Sequence, residues 1–258
     1  MKINTLKFKT TITPNKLTNV TKKEMWQLYR QFYATTEIDF YQQLKIYDYF
    51  SFFRCAGEII GFIGIQAQRP TLKERSYLLL RFGEAIILEK YRGKGLLQLA
   101  ALKLGGLYWR DVLAGRVLFW GNAFTYKSYL VFAKTAEHFY PNHQQATPYK
   151  VKDIMDFLGG HYFSERYEQH HGIVKNIVHP LQDNSYRICY KYKEEPNIRF
   201  FSEINPRYEL GDGLITIAPM NWRNIISLLK KVGKHNWGRI TERRNADNRV
   251  FYSKFLIT

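Results

Sequence analysis

A short basic turn between two apolar segments is the part of this sequence whose residue types most clearly suggest chemistry. Arg92-Gly93-Lys94-Gly95 follows a strand-like run, residues 84–88, and precedes a helix-like run, residues 96–108. Glycines let the backbone approach a ligand closely, and the unpaired N–H groups at a helix start attract anions. The turn is neither a Walker A loop nor a Rossmann fingerprint. It predicts a phosphate site of another kind, or else an ordinary strand-to-helix turn.

The turn resembles the pyrophosphate loop of the GNAT superfamily of acyl-CoA N-acyltransferases, Arg/Gln-x-x-Gly-x-Gly/Ala. Residues 92–96 match its first five positions, and Leu97 stands where the family has Gly or Ala. The resemblance implies acetyl-CoA or another acyl-CoA as co-substrate. It also implies a fourth strand that parts from the fifth, so that the backbone of Ile87 and Leu88 pairs with pantetheine like an added strand. The implied cofactor-binding residues are Ile87, Leu88, Arg92, Gly93, Lys94, Gly95, Leu96 and Asn122.

The resemblance extends downstream of the turn. A strand-like run, residues 117–120, is followed by Asn122 and, seven residues later, by Tyr129, a spacing that GNAT enzymes often show. Segments 125–130, 139–141, 199–201, 205–206 and 211–213 also look like a poorly characterised GNAT-like family. This second resemblance covers most of residues 15 to 235 and names no substrate.

Acyl transfer to an amine needs a base for the amine and an acid for the leaving sulfur. GNAT enzymes often place the base on the fourth strand, which implies Glu84, although a strand-end surface carboxylate fits the same pattern. Tyr129 is the implied acid, with Tyr126 one turn earlier as its substitute. Tyr129 is otherwise one more core aromatic. Asn122 holds the CoA amide or caps the following helix.

The elements that position these residues follow from periodicity. We expect a first strand over 6–12 and a helix that starts at a capping box, residues 21–24, with its apolar face on a sheet. A second helix over 38–46, a hairpin with strands 50–55 and 59–67, and a long strand over 77–88 follow. Gly83 inside that last strand predicts a bulge or a close backbone approach.

The order of these elements predicts an α/β fold with a mixed central sheet, and a GNAT-like domain over residues 1–148. Residues 149–258 predict a helix over 151–157, strands over 186–192 and 198–201, and a helix from about 219 to 232. Two interpretations are open for them. They complete the sheet with a cap, or they form a C-terminal α/β extension such as a degenerate second half, which we favour because the segment is long.

Composition limits the remaining function classes. The 258 residues carry 45% hydrophobic and 16% aromatic side chains, which excludes disorder. No apolar run is long enough to span a membrane, and the polar start has no signal-peptide core. Two distant cysteines favour a reducing compartment, so we expect a cytoplasmic protein. Four histidines, His161, His170, His171 and His179, match no metal template.

A formal net charge of +17 invites a nucleic-acid interpretation. Basic residues concentrate at residues 230–244, but no recognised nucleic-acid motif accompanies them. The leading hypothesis is therefore an acyl-CoA-dependent N-acyltransferase in which a small-molecule, peptide or protein amine attacks directly in a ternary complex. The alternatives are a non-catalytic acyl-CoA-binding or interaction module and a basic nucleic-acid-associated protein.

Overall fold

A computed structural model describes residues 6–33, 35–176 and 187–243. The strands are β1 (Leu6–Ile12), β2 (Tyr49–Cys55), β3 (Glu58–Gln68), β4 (Thr71–Leu72), β5 (Arg75–Ser76), β6 (Leu78–Ile87), β7 (Val117–Ala123), β8 (Tyr167–Glu168), β9 (Ile173–Val174) and β10 (Gly213–Pro219). The α-helices are α1 (Asn19–Tyr29), α2 (Glu37–Leu44), α3 (Leu96–Leu107), α4 (Trp109–Leu113), α5 (Tyr126–Thr135), α6 (Tyr149–Phe163), α7 (Pro196–Ile204) and α8 (Trp222–Arg243).

One large mixed sheet organises the fold, with strand order β1-β2-β3-β6-β7-β10-β9-β8. Its neighbours pair antiparallel except β6 and β7, which run parallel from Leu78 and Val117 to Arg81 and Trp120. Parallel strands need a crossover, and α3 and α4 provide it. The predicted α/β fold with a mixed central sheet is confirmed.

Helices cover both faces of this sheet. Alternate residues of β7 enter different apolar clusters, because successive side chains of a strand point to opposite faces. Helices α3, α5, α7 and α8 pack on the face that carries Val117 and Phe119. Helices α1, α2 and α6 pack on the opposite face, which carries Leu118 and Trp120.

Local signals explain most of the N-terminal elements. Ala56 and Gly57 turn the β2–β3 hairpin with positive φ at both positions, as a tight hairpin requires. The N-cap of helix α1 is Thr18, three residues before the predicted capping box, because the Thr18 hydroxyl accepts the Thr21 N–H at 3.1 Å. The predicted start at Thr21 was therefore wrong, whereas the predicted apolar face of α1 does pack on the sheet.

The C-terminal half differs more from the expectation. The predicted helix over 151–157 lies within α6, and α8 starts close to its predicted position. The strand predicted over 198–201 was wrong, because Glu195 caps a helix there by accepting the Ile198 N–H at 2.8 Å. Residues 190–192 form a 3-10 turn and not a strand, and residue 186 lies outside the described residues.

The sheet has no break at residue 148. Strand β10 pairs with β7 along its whole length, and β9 and β8 add to the far edge. The C-terminal α/β extension is thus part of the same sheet, which supports sheet completion over a separate unit. Among the helices of the described ranges, none combines the length and apolar character that a membrane crossing requires.

Candidate functional site

Strands β6 and β7 part halfway along β6. Their pairing ends at Arg81 and Trp120, whereas β6 continues to Ile87 hydrogen-bonded to β3 alone. The second half of β6 therefore presents backbone groups to a gap in the sheet. Such an unpaired edge can accept an extended ligand as an added strand. This is the geometry that the family resemblance implied.

A bulge in β6 lies at the start of this gap. Ile63 pairs with Ala85 and Ile65 with Phe82, so two residues, Gly83 and Glu84, oppose one. A Cβ at Gly83 would lie 2.3 Å from Cε1 of Tyr47, which shows that the Tyr47 ring occupies the space a side chain would need. The bulge and the close approach predicted at Gly83 are both confirmed.

The bulge directs Glu84 toward α2. Gln43 Nε2 donates to Glu84 Oε1 at 2.6 Å, and the Tyr29 hydroxyl donates to Gln43 Oε1 at 3.1 Å. The Glu84 backbone N–H donates to the Tyr47 hydroxyl at 3.1 Å. Glu84 Oε2 has no hydrogen-bond partner among the described side chains. One carboxylate oxygen is therefore held in place while the other is available.

Burial raises the pKa of the Glu84 carboxyl above its usual value, while Arg81 and the Gln43 hydrogen bond act in the opposite direction. A base with a raised pKa takes a proton from an ammonium group more readily than an ordinary carboxylate does. The environment of Glu84 is thus suited to proton abstraction. The structure also shows that Glu84 is not a simple surface carboxylate.

The basic turn leads directly into α3. Gly93 and Gly95 have φ of +69° and +72°, in the left-handed region that glycine adopts without strain. Gly95 is the N-cap of α3, no side chain caps the helix, and its first turn holds no acidic residue. Arg92 and Lys94 are exposed beside these amides. An anion would meet free N–H groups, the helix dipole and two cations together.

Leu97, the departure from the family motif, does not fill this turn. Its side chain packs with the buried cluster under α3 that includes Leu96 and Ala100. The Leu97 side chain therefore leaves room for a ligand to approach the backbone of the turn. Leu96 itself is buried, so its contribution to an anion site would come from its backbone.

Ile87 and Leu88, the two positions whose backbone was predicted to pair with pantetheine, differ in whether their backbone groups face the gap. Both backbone groups of Leu88 are used within the protein, since its N–H donates to Ile60 O at 3.0 Å and its carbonyl accepts from Tyr91 N at 2.9 Å. Leu88 was therefore a wrong choice. The Ile87 carbonyl points away from β3, because C=O and N–H lie on opposite sides of a trans peptide. By strand alternation, the backbone of Ala85 faces the same gap.

The Ile87 carbonyl already accepts a hydrogen bond within the protein. Arg92 Nε donates to it at 2.9 Å, and the guanidinium lies 5.6 Å from the centre of the Phe32 ring. A ligand strand that paired with Ile87 would displace this hydrogen bond. The released Arg92 side chain would then be free to reach an anion at the turn.

Asn122 lies across the gap on the same sheet face as Trp120, since the two are two residues apart in β7. Its Oδ1 and Nδ2 are buried and have no hydrogen-bond partner among the described residues. Thr125, not Asn122, caps α5, through a reciprocal pair of hydrogen bonds with Ser128. The capping role is excluded, and an unsatisfied buried amide remains that a ligand amide would satisfy.

Tyr129 lies elsewhere. It is fully buried in a cluster with Phe139, Phe200 and Phe201, and its hydroxyl donates to Pro141 O at 2.9 Å. Burial raises the pKa of this hydroxyl well above its usual value. Its proton is committed to a backbone carbonyl inside an apolar core, so the assignment of Tyr129 as the general acid was wrong. Tyr126 is also buried in this cluster.

The described histidines form no metal centre: no group of three or more His, Cys, Asp or Glu in the described ranges is arranged for an ion. His170 and His171 lie in a turn, where Nδ1 of His170 is 3.1 Å from Nε2 of His171. His171 also contacts Glu168 at 2.8 Å. His179 lies outside the described residues.

The sequence did not indicate the residues that position Glu84. Gln43, Tyr47 and Arg81 come from α2, from the segment before β2 and from β6, and only the sheet brings them together. The glycines Gly64 and Gly83 were the sequence feature that could have indicated a large side chain, such as Tyr47, packed against the sheet at this point. Gly64 faces the same ring as Gly83, with a Cβ that would lie 2.8 Å from it.

No protein-family model matches this chain, and no curated protein matches it in sequence. Similar solved structures include a conserved protein of unknown function from Enterococcus faecalis, described as a probable N-acyltransferase. It is 16% identical with a TM-score of 0.36, and the match covers 51% of this chain and 33% of that one. The match thus spans a third of that protein's length.

Two further solved structures are also similar to this chain. The ribosomal-protein-S18-alanine N-acetyltransferase from Escherichia coli is 12% identical with a TM-score of 0.40, over 84% of this chain and 95% of that one. A GNAT family acetyltransferase from Staphylococcus aureus is 21% identical with a TM-score of 0.31, over 41% and 80%. Each of these two proteins is described as an acetyltransferase.

Proposed function

We propose that this protein is an acyl-CoA-dependent N-acyltransferase, with acetyl-CoA as the first acyl donor to test. The observation that carries the proposal is the convergence of three features at one opening of the sheet. These are the unpaired half of β6, the uncapped start of α3 behind a left-handed glycine turn, and the half-buried Glu84 carboxylate. The first two suit an extended ligand that ends in a pyrophosphate, and the third suits an amine.

The residues present fit such a co-substrate. The turn amides with Arg92 and Lys94 would hold the pyrophosphate, and Ile87 with Ala85 would pair with the pantetheine arm. The unsatisfied amide of Asn122 would bond an amide of that arm. Bound acyl-CoA supplies the activated carbonyl and the sulfur leaving group.

Glu84 is the general base in this proposal. Oε2 takes one proton from the acceptor ammonium, and Gln43 holds the carboxylate through Oε1 during the transfer. The amine nitrogen then attacks the carbonyl carbon, and its second proton goes to the departing sulfur. One proton is released from Glu84 to solvent in each cycle. No tyrosine acid is required, which agrees with the burial of Tyr129 in the core.

Isothermal titration with acetyl-CoA tests the binding half of the proposal. We expect saturable binding to the wild type and a loss of roughly 10- to 100-fold in affinity for Arg92→Ala/Lys94→Ala, because two charge-assisted contacts are removed. The control is Lys23→Ala/Lys150→Ala, which removes the same charge from two exposed sites elsewhere.

Equal loss in both double variants would show a nonspecific charge effect and contradict the site. Absence of binding to the wild type would reject the transferase proposal. Binding that persists at high salt in the wild type would further separate this site from loose attraction to the basic surface.

A further inference from the structure

A second charged group faces the same opening as Glu84. Arg81 is the last β6 residue paired with β7, and its guanidinium lies 5.2 Å from the centre of the Trp120 ring. Its Nη1 donates to Gln66 Oε1 at 3.0 Å, and Gln66 Nε2 donates in turn to Ile46 O at 3.0 Å. The guanidinium is therefore held in place by a fixed amide and a buried aromatic ring.

Arg81 has no carboxylate partner among the described residues. Two other arginines do have one: Arg54 makes two contacts with Glu24, and Arg69 makes two with Asp111. A guanidinium offers five N–H donors in a planar fork that matches a carboxylate. Within the described ranges, the half-buried Arg81 guanidinium contacts only the neutral Gln66 amide and the Trp120 ring. Most of its N–H donors are therefore available to a ligand.

Glu84 and Arg81 are held apart. Their charged atoms are farther apart than the 4.0 Å limit of an ion pair, although the Arg81 charge lowers the pKa of Glu84. Gln43 fixes the carboxylate toward α2, and Gln66 fixes the guanidinium toward β3. The two groups thus present opposite charges on one sheet face without forming an ion pair. Such an arrangement complements a zwitterion, which carries one charge of each sign. Asp48, another carboxylate nearby, is engaged by the Ala67 N–H at 2.7 Å.

We propose that the acceptor is a small amine that carries a carboxylate next to its amino group, that is, a free amino acid. Its ammonium group lies at Glu84 and its carboxylate at Arg81. The half-buried ring of Tyr162, 5.3 Å from the Trp120 ring, would contact its remaining atoms. This inference rests on the proposed acyltransferase function, and it excludes protein lysine as the preferred acceptor.

Three acceptor pools test it with acetyl-CoA as donor. They contain the twenty standard amino acids, the corresponding amino acid amides, and the corresponding amines without the carboxylate, and mass spectrometry measures acetylated products. We expect the wild type to acetylate the acid pool at least about 10-fold faster than the other two, because a charge-assisted fork contact is lost without the carboxylate. Arg81→Gln should remove this preference, so the acid pool should slow relative to the other two pools. The ratio of rates at one pH is the readout, because loss of the Arg81 charge also raises the pKa of Glu84 for every pool.

Arg81→Lys is the conservative control and should restore part of the preference, since it keeps the charge without the fork. A thermal unfolding curve like that of the wild type shows that a variant is folded. A lysine peptide is assayed beside the three pools. The inference would be overturned by equal wild-type rates with all pools, by an equal loss in all pools for Arg81→Gln, or by transfer only to the lysine peptide. Acetyl-CoA binding without acetylation of any pool would also overturn it, whereas the absence of acetyl-CoA binding would reject the proposed function itself.

Discussion

The two halves of strand β6 differ in how many neighbouring strands they pair with. Residues 78–81 are hydrogen-bonded to β3 on one side and β7 on the other, and Leu78, Leu79 and Leu80 are fully buried. Residues 82–87 keep only β3 and carry the bulge, the Glu84 carboxylate and the gap-facing Ile87 carbonyl. In the proposed function, the buried leucines of the first half thus stabilise the core, whereas Arg81 and the second half supply the groups that contact the substrates.

This comparison predicts that substitutions in the open half, and at Arg81 where the pairing ends, change activity. Substitutions of the buried residues Leu78, Leu79 and Leu80 should instead change stability. The largest effect should come from Glu84→Gln. An amide cannot take the ammonium proton, so kcat/KM should fall roughly 10²- to 10⁴-fold. Gln43 can still donate to the new carbonyl oxygen, so the thermal unfolding curve should keep its shape. An active Glu84→Gln variant would contradict the assignment of the base.

The pH dependence gives a second test of Glu84. Because the pKa of Glu84 is raised and the ionised form is the base, kcat/KM should rise with pH through that pKa. Arg81→Gln removes a charge that lowers this pKa, so the rise should move to higher pH. Measurement of kcat/KM against pH in both proteins checks the direction.

The same shift has a consequence for stability. A carboxyl whose folded pKa exceeds its unfolded pKa stabilises the protein fully at low pH and loses this contribution as pH rises through the folded pKa. The wild type loses this contribution between acidic and neutral pH, and Glu84→Gln does not. The stability of Glu84→Gln relative to the wild type should therefore increase as the pH is raised. Urea unfolding at two pH values measures the difference.

In the closed half, Leu79→Ala should lower the free energy of unfolding by about 2 to 5 kcal/mol, the usual cost of a buried leucine. It should leave the KM for acetyl-CoA unchanged wherever the protein is folded. Denaturant unfolding measures the first quantity and steady-state kinetics the second. A specific rise in KM would show that the two halves are not separate in function.

At the junction, Gly83→Ala should impair both properties, because the new Cβ must displace the Tyr47 ring. We expect a loss of about 1 to 3 kcal/mol in stability and a fall in kcat/KM. Gly106→Ala in α3 is the matched control, since a Cβ there has no neighbour within 4 Å. The control should be neutral or slightly stabilising. Equal behaviour of both variants would refute the role of the bulge.

The smallest effect on activity should come from Tyr129→Phe. The variant leaves Pro141 O without its hydrogen bond, at a cost of about 1 to 3 kcal/mol in stability. Its kcat should stay within about a factor of 3 of the wild type, since the hydroxyl does not take part in proton transfer. A fall comparable with that of Glu84→Gln would return Tyr129 to the catalytic site.

The sequence predicted what local patterns determine. The glycine turn before α3 has positive φ at Gly93 and Gly95, and the bulge at Gly83 has no room for a side chain; both were found where the glycines predicted them. Strand β10 was missed because its short buried run, residues 213–219, has no alternation to distinguish it. The helix over 196–204 was assigned as a strand from its apolar residues, although Glu195 and Pro196 carry the signals of a helix start.

The candidate site was predictable only in part, because its contacts are long-range. The family resemblance implied both Glu84 and Tyr129, yet Gln43 of α2 contacts Glu84 and an aromatic core encloses Tyr129. Arg81 gave no local signal, since Gln66 and Trp120 come from two other strands. The distinction between a core tyrosine and a catalytic one needs the packing of α5 against α7, which no spacing contains.

Amide hydrogen exchange along β6, with and without saturating CoA, tests the central claim most directly. We predict that gap-facing amides within residues 82–87 gain protection when CoA binds, while residues 78–81, already paired on both sides, change little. Protection confined to the start of α3 would limit the site to a phosphate. Unchanged exchange throughout residues 82–87 at saturating CoA would contradict the account.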